Sequence, residues 1–304
     1  MNKVLITTSS FGKLDSSPLD LLLEFSEVIS NPYGRKITTE EFIELSKDAD
    51  AVIAGVEQIT REALLARPNI KVISRCGVGM DSIDTQACYD LGVKLYNTPY
   101  APVESVAELT VTVILSMLKN IIPMNNDLKS GKWNKMTAYM LSGKKLGIIG
   151  LGRIGYQVAT LIEQFGTEVS YFDIEKKDCK FNYMEKSELL KWADIISVHT
   201  SMCNDGDYII GKSELDIMNK SSYLVNTSRG RYIDEQALYD ALVAGKISGA
   251  ALDVFSEEPY FGKLCKLDNV IVTPHISSSA KEGRVKMEME SVINVLDGLG
   301  IRYD

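Results

Sequence analysis

Gly150-Leu151-Gly152-Arg153-Ile154-Gly155 stands directly after the apolar run of residues 146–149 and directly before residues 156–165, which carry helical spacing. The hexamer alone is weak; its placement between a strand and a helix gives it meaning. The first glycine allows a tight turn, the second lets a pyrophosphate approach the backbone, and the third lets the helix pack close to the sheet. The helix start then offers unpaired N–H groups and a positive dipole end to phosphates. The next strand-like run, residues 168–172, ends in Asp173, 18 residues past Gly155. A carboxylate there accepts hydrogen bonds from ribose hydroxyls and repels a 2′-phosphate, which favours NAD over NADP, with Lys176 and Lys177 weighing the other way. The competing reading is an ordinary strand-to-helix turn followed by a solvated Asp.

Working outward, strand-like runs at residues 145–149, 168–172, 194–198, 222–226, 249–252 and 269–272 alternate with helical stretches, and an earlier series at residues 4–7, 51–54, 72–74 and 93–96 does the same. Helices are expected at residues 19–25 and, behind a Thr60 cap, 60–65. Such alternation builds parallel sheets from strand–helix–strand units. Residues 102–119 are too apolar all round for a surface helix and read as a buried connector between domains. Residues 279–299 carry apolar side chains at helical spacing and are expected to return to the first domain. The expected fold is therefore α/β: two Rossmann-like, doubly wound parallel-sheet domains with a cleft between them. Residues 1–99 plus 279–304 form a discontinuous substrate domain and residues 100–278 an NAD-binding domain.

At 304 residues the chain suits two domains, and its 45% hydrophobic and 24% charged residues are globular values. A net charge of −8 with dispersed Lys and Arg lacks the basic stripe of a phosphate-backbone binder, so nucleic acid is not an expected partner. No run reaches the length of a membrane span and residues 1–10 lack a cleavage pattern, which points away from a membrane and to the cytoplasm. Cys76, Cys88, Cys179, Cys203 and Cys265 are odd in number and never spaced CxxC, and the only histidines are His199 and His275. Neither a disulfide framework nor a metal site is expected.

Three segments of the second series end in chemistry. Arg229 follows the strand at residues 222–226, Asp253 and then Glu258 follow residues 249–252, and His275 follows residues 269–272. Open α/β sheets place ligands at these carboxyl ends. A guanidinium suits a carboxylate or a developing alkoxide, an imidazole carries a proton, and a carboxylate fixes its tautomer. Each residue alone reads as well as a surface or structural side chain; their convergence in one nucleotide-binding unit favours catalysis.

These segments resemble the signatures of the D-isomer-specific 2-hydroxyacid dehydrogenases, most closely the phosphoglycerate dehydrogenase branch. The matches run in order through residues 75–84 (Arg-Cys-Gly-Val-Gly-Met-Asp-Ser-Ile-Asp), Asn97-Thr98-Pro99, Val106-Ala107-Glu108, Gly131-Lys132-Trp133, the glycine hexamer, residues 226–230, 253–259 and His275, so that similarity covers roughly residues 45–280. The resemblance implies hydride transfer between NAD and a small 2-hydroxy or 2-oxo acid, such as 3-phosphoglycerate. It gives Arg229 the substrate carboxylate and carbonyl, His275 the hydroxyl proton and Glu258 the imidazole. It implies that residues 77–79, Gly77-Val78-Gly79, receive the carboxylate on backbone N–H groups, although a simple turn also fits. Arg153, Ile154, His199, Thr200, Thr227 and Asp253 would border the cofactor along with Gly150, Gly152, Gly155 and Asp173.

Arg75, Tyr100 and Trp133 either line the pocket or pack. Arg75 and Arg35 are the only candidates to meet a substrate phosphate. A homodimer through the nucleotide domain is implied as well.

The chain departs from the family at residues 199–203, His-Thr-Ser-Met-Cys in place of His-x-Pro-Leu-Thr, which puts the loop over the adenine in doubt. Ending at Asp304, it leaves no room for appended regulatory domains, so serine feedback is not expected. The other class to weigh is an NAD(H)-sensing interaction protein on the same fold.

Overall fold

A computed structural model describes residues 1–200 and 208–303. Ser201, Met202 and Cys203, where the sequence departs from the family pattern, lie outside the described residues. The chain divides into two compact units, Met1–Pro102 with Ser279–Asp304, and Val103–Ser278.

The first unit is a five-stranded parallel sheet in the order β2-β1-β3-β4-β5. Its strands are β1 (Asn2–Ile6), β2 (Ser26–Ser30), β3 (Ala51–Ala54), β4 (Val72–Arg75) and β5 (Lys94–Asn97), joined by α1 (Ser17–Phe25), α2 (Thr39–Leu45), α3 (Arg61–Leu65) and α4 (Thr85–Asp90). The central strands β1, β3 and β4 are the apolar runs of the sequence, β3 being buried at every position because helices cover both faces. Three helices start on side-chain caps. Thr38 forms a reciprocal box with Glu41, Thr60 accepts the Ala63 N–H, and Asp84 accepts the Ala87 N–H. Strand β2 escapes the periodicity because it is a half-polar edge strand, and α2 and α4 because they are barely two turns long.

The second unit holds seven parallel strands in the order β12-β11-β10-β9-β6-β7-β8. They are β6 (Lys145–Ile149), β7 (Glu168–Phe172), β8 (Asn182–Tyr183), β9 (Ile195–Val198), β10 (Tyr223–Asn226), β11 (Gly249–Leu252) and β12 (Val270–Val272). Helices α5 (Val103–Leu118), α6 (Ile121–Lys129), α7 (Arg153–Glu163), α8 (Lys186–Trp192), α9 (Lys212–Ile217) and α10 (Glu235–Val243) complete it. The order is that of a Rossmann sheet extended by one strand, reversing between β6 and β9. Helix α5 is a core element of this unit rather than a connector: Ala107, Val113, Ile114 and Leu118 pack with Val158, Ala159 and Ile162 of α7 over Leu146 and Ile148.

Helix α11 (Lys281–Leu299) returns to the first unit, where Val292, Val295 and Leu296 join Val4, Ile6 and Val72 in one core. Glu288 is fully buried on it, accepting Arg284 Nε and the Gly12 N–H, both at 2.9 Å. That pair anchors the loop after β1.

Candidate active site

The glycine hexamer forms a cradle at the point where the larger sheet reverses. Gly150 has φ +92°, and a Cβ on it would lie 2.7 Å from the Thr200 nitrogen and 2.8 Å from the His199 carbonyl. A Cβ on Gly155 would meet the Gly150 carbonyl oxygen at 2.1 Å, so the helix can press onto the turn only as glycine. Among the described residues, nothing lies within 4 Å of that position on Gly152, at the start of α7, and no side chain caps the helix. The first-turn N–H groups, with exposed Arg153 and half-buried Ile154, therefore border open space where a phosphate can approach.

Asp173 at the end of β7 turns Oδ2 to the Leu151 N–H at 2.8 Å, which places its carboxylate beside the cradle. A dinucleotide fits these residues: glycine backbone for the pyrophosphate and Asp173 for the ribose. Thr227 is buried and hydrogen-bonded to Thr110 of α5 at 3.1 Å.

His199 contributes backbone rather than charge. Its Nε2 meets Ser197 Oγ at 2.8 Å, Nδ1 is shut off from solvent with no partner among the described residues, and burial pushes its pKa down to about 3. The ring stays neutral near pH 7.

The row β10, β11, β12 presents Arg229, Glu258 and His275 from three adjacent strand ends. The His275 Nδ1–H donates to Glu258 Oε2 at 2.8 Å, while Glu258 Oε1 accepts the Phe255 N–H at 3.0 Å. Both side chains are partly exposed, 44% and 36%. With Nδ1 committed to the carboxylate, Nε2 has no partner among the described residues and is the atom left to carry a proton. His275 takes φ +53°, a conformation uncommon for a residue with a Cβ.

Asp253 holds His275 there. Almost fully buried, its Oδ1 accepts Thr273 Oγ1 at 2.6 Å and the Ile276 N–H at 2.8 Å, its Oδ2 accepts the Ser277 N–H at 2.8 Å, and its carbonyl accepts the His275 N–H at 2.9 Å. The carboxylate is thus turned to the loop that carries the imidazole.

Arg229 is fixed by two residues that its own chemistry does not announce. Buried Asn226 donates Nδ2 to the Arg229 carbonyl at 2.9 Å and accepts the Ser228 N–H at 3.0 Å, closing the loop. Gly230 lies so close to the next loop that a Cβ would stand 1.8 Å from the Phe255 carbonyl carbon. The sequence signal for both was their place beside an arginine at a strand end.

In the first unit, residues 77–79 follow β4. Gly77 has φ +146°, and the Arg75 guanidinium folds over it, donating to the Cys76 carbonyl. Asn97 Nδ2 binds the Val78 carbonyl at 2.8 Å and the Thr98 N–H binds the Gly77 carbonyl at 3.1 Å. These bonds from the end of β5 take the loop's carbonyls, and the Val78 and Gly79 N–H groups have no acceptor among the described residues. Of the remaining candidates, Arg35 is bound through both guanidinium nitrogens to Glu41, at 2.9 and 2.6 Å, and Tyr100 and Trp133 are exposed.

A Rossmann-order sheet with an open glycine cradle, an acidic ribose partner and a carboxylate-held imidazole defines a dinucleotide-dependent oxidoreductase. Residues 111–277 match the family model described as the D-isomer specific 2-hydroxyacid dehydrogenase NAD binding domain. A hydroxypyruvate reductase of Thermotoga maritima is 35% identical over 94% of this chain and 97% of its own length. A D-3-phosphoglycerate dehydrogenase of Methanocaldococcus jannaschii is 39% identical over 93% of this chain, which spans 55% of that protein. Among solved structures, D-lactate dehydrogenase of Aquifex aeolicus, complexed with NAD and lactic acid, superposes with a TM-score of 0.86 at 29% identity, covering 98% of this chain and 96% of the other. The chain belongs to the D-isomer-specific 2-hydroxyacid dehydrogenases and is an NAD-dependent oxidoreductase.

Proposed function

We propose that the chain interconverts a short 2-oxo acid and its D-2-hydroxy acid, with Arg229, Glu258 and His275 as the working side chains. The observation that carries this reading is the 2.8 Å bond between His275 Nδ1 and Glu258, made on loops neighbouring that of Arg229. NAD, when bound, supplies or accepts the hydride at C2. His275 Nε2 gives the matching proton to the C2 oxygen on reduction and takes it back on oxidation. Glu258 holds the tautomer that leaves Nε2 outermost and stabilises the imidazolium. Arg229 binds the carboxylate and the C2 oxygen in a planar fork. Within the smaller unit, the N–H groups of Val78 and Gly79 form a proposed carboxylate receiver, with Arg75 donating to the Cys76 carbonyl of their loop.

The substrates named for relatives, hydroxypyruvate, glyoxylate and D-3-phosphoglycerate, all carry the carboxylate and C2 oxygen these groups would bind. NADH oxidation with glyoxylate, pyruvate, hydroxypyruvate and 3-phosphohydroxypyruvate tests the reading. At least one acid is expected to turn over, and His275→Ala to lower kcat by about 10²–10⁴-fold while NADH still binds. NADH binding without turnover on any of the four would overturn it.

A homodimer is the proposed assembly. Ile121 and Leu128 of α6, then Trp133, Met136, Tyr139 and Met140, are exposed along one stretch of chain. Light scattering at micromolar concentration should give twice the chain mass; a monomer there would sink the proposal.

A further inference from the structure

The smaller sheet has its own reversal point, between β1 and β3, and a buried carboxylate stands there. Glu57 is 2% exposed just beyond β3. Its Oε1 accepts Thr7 Oγ1 at 2.6 Å and the Gly55 N–H at 3.1 Å. Its Oε2 has no partner among the described residues and lies 2.9 Å from where a Cβ on Gly55 would sit. Thr8, whose Cγ2 is 3.2 Å from the same point, has a buried hydroxyl with no partner among the described residues. An unfilled acceptor beside an unfilled hydroxyl suits a group that both donates and accepts, such as an alcohol. A phosphate, which brings only acceptors and two negative charges, does not suit it.

The loop bearing Glu57 runs beside the loop at residues 77–79. Cys76 N–H bonds the Ala54 carbonyl at 2.9 Å, Ile59 N–H the Ser82 carbonyl at 2.8 Å and Asp84 N–H the Ile59 carbonyl at 3.0 Å. Glu57 is turned toward Thr7 at the end of β1, so with adjacent strands about 4.8 Å apart its carboxylate stands about two strand spacings from the loop after β4. At about 10 Å and an effective dielectric of about 20, each extra negative charge on the tail of an acid held there weakens binding more than about tenfold. The nearby arginines are already engaged and do not offset this: Arg35 is tied to Glu41, Arg75 lies over Gly77, and Arg284 is paired with buried Glu288 and donates to Ser10.

Resting on the proposed activity, we propose that Glu57 sets the charge class of the substrate: 2-oxo and 2-hydroxy acids with an uncharged, hydroxyl-bearing tail are taken and those ending in phosphate are rejected. Wild type should use hydroxypyruvate with kcat/KM at least about tenfold above that for 3-phosphohydroxypyruvate. Glu57→Gln keeps an acceptor for Thr7 and Gly55 but removes the charge, and should shrink that ratio about tenfold, chiefly through KM for the phosphorylated acid. A wild-type ratio at or below one, or an unchanged ratio in a Glu57→Gln protein of wild-type thermal stability, would overturn the proposal. Calorimetric binding of D-glycerate and 3-phosphoglycerate to the NAD-loaded protein reads the same discrimination without turnover, in wild type and in any variant too impaired to assay. Turnover on no acid together with this binding preference would strike the proposed activity and leave the role of Glu57 standing; equal binding of the two acids would strike Glu57 alone.

Discussion

The two parallel sheets end in differently built loops. In the larger unit each strand-end side chain is fixed by other side chains: Asp253 holds the His275 loop, Glu258 the imidazole, and Asn226 the Arg229 loop. In the smaller unit the loop after β4 presents main-chain atoms instead: Gly77 is at φ +146°, and the carbonyls of residues 76–78 are taken by the Arg75 and Asn97 side chains and the Thr98 N–H. A proton donor must be held in one orientation and one tautomer, which takes converging polar side chains. A carboxylate receiver needs little more than free N–H groups, which take a glycine and a turn. On the proposed function, the difference between the units is a division between chemistry and recognition.

The largest expected effect lies where two loops of the larger unit touch. Gly230→Ala forces a methyl into the Phe255–Ser256 backbone, and a shift of both loops should cost about 3 kcal/mol or more. Hydrogen exchange should show the loss in the larger unit while the smaller one keeps its protection; wild-type stability would mean that the loops are not so tightly joined.

Asp253→Asn comes next. An amide nitrogen cannot accept the Ser277 N–H, so one buried donor is left unpaired at about 1–3 kcal/mol. Because that loop also carries His275, kcat should fall while KM for NADH stays nearly constant. A melting point lowered with kcat intact would show that Asp253 supports the fold alone.

Gly77→Ala probes the smaller unit. It places a Cβ at φ +146° and 2.6 Å from the Arg75 guanidinium, a strain of about 1–3 kcal/mol. The effect should appear in KM for the organic acid and leave NADH binding untouched, the reverse of what a cofactor-site lesion does. A change in NADH affinity instead would break the assignment of recognition to this loop.

The smallest effect, over the range just below neutral pH, is that of His199. Its folded pKa of about 3 lies below the ordinary 6.5, so its contribution to stability is complete above about pH 6.5 and is lost progressively as pH falls toward 3. Nitrogen-resolved NMR of the two histidines should show His199 neutral from pH 8 to pH 5. Titration of that ring near 6.5 would mean that it is solvated.

What could be read from residues alone followed their spacing. The strands at residues 145–149, 168–172 and 249–252 coincide with the observed ones, because a short, mostly apolar run buried on both faces has few other states. The glycine hexamer was legible because each glycine answers a distinct steric demand that only the missing Cβ satisfies. Strand β2 and the short helices α2 and α4 were not legible, since neighbours stabilise them more than their own periodicity does. That the Asp253 carboxylate bonds residues 273–277 was not legible either, because spacing along a chain does not say which way a side chain turns.

The α/β class, the dinucleotide turn and the family all follow from local order along the chain. Only the tertiary structure decided that β10, β11 and β12 are neighbours in that order, that Asn226 and Gly230 fix the arginine loop, and that Glu57 stands buried at the reversal of the smaller sheet. The physical reason is that side-chain direction and burial come from contacts between residues tens of positions apart, and these exist only once the sheets have formed.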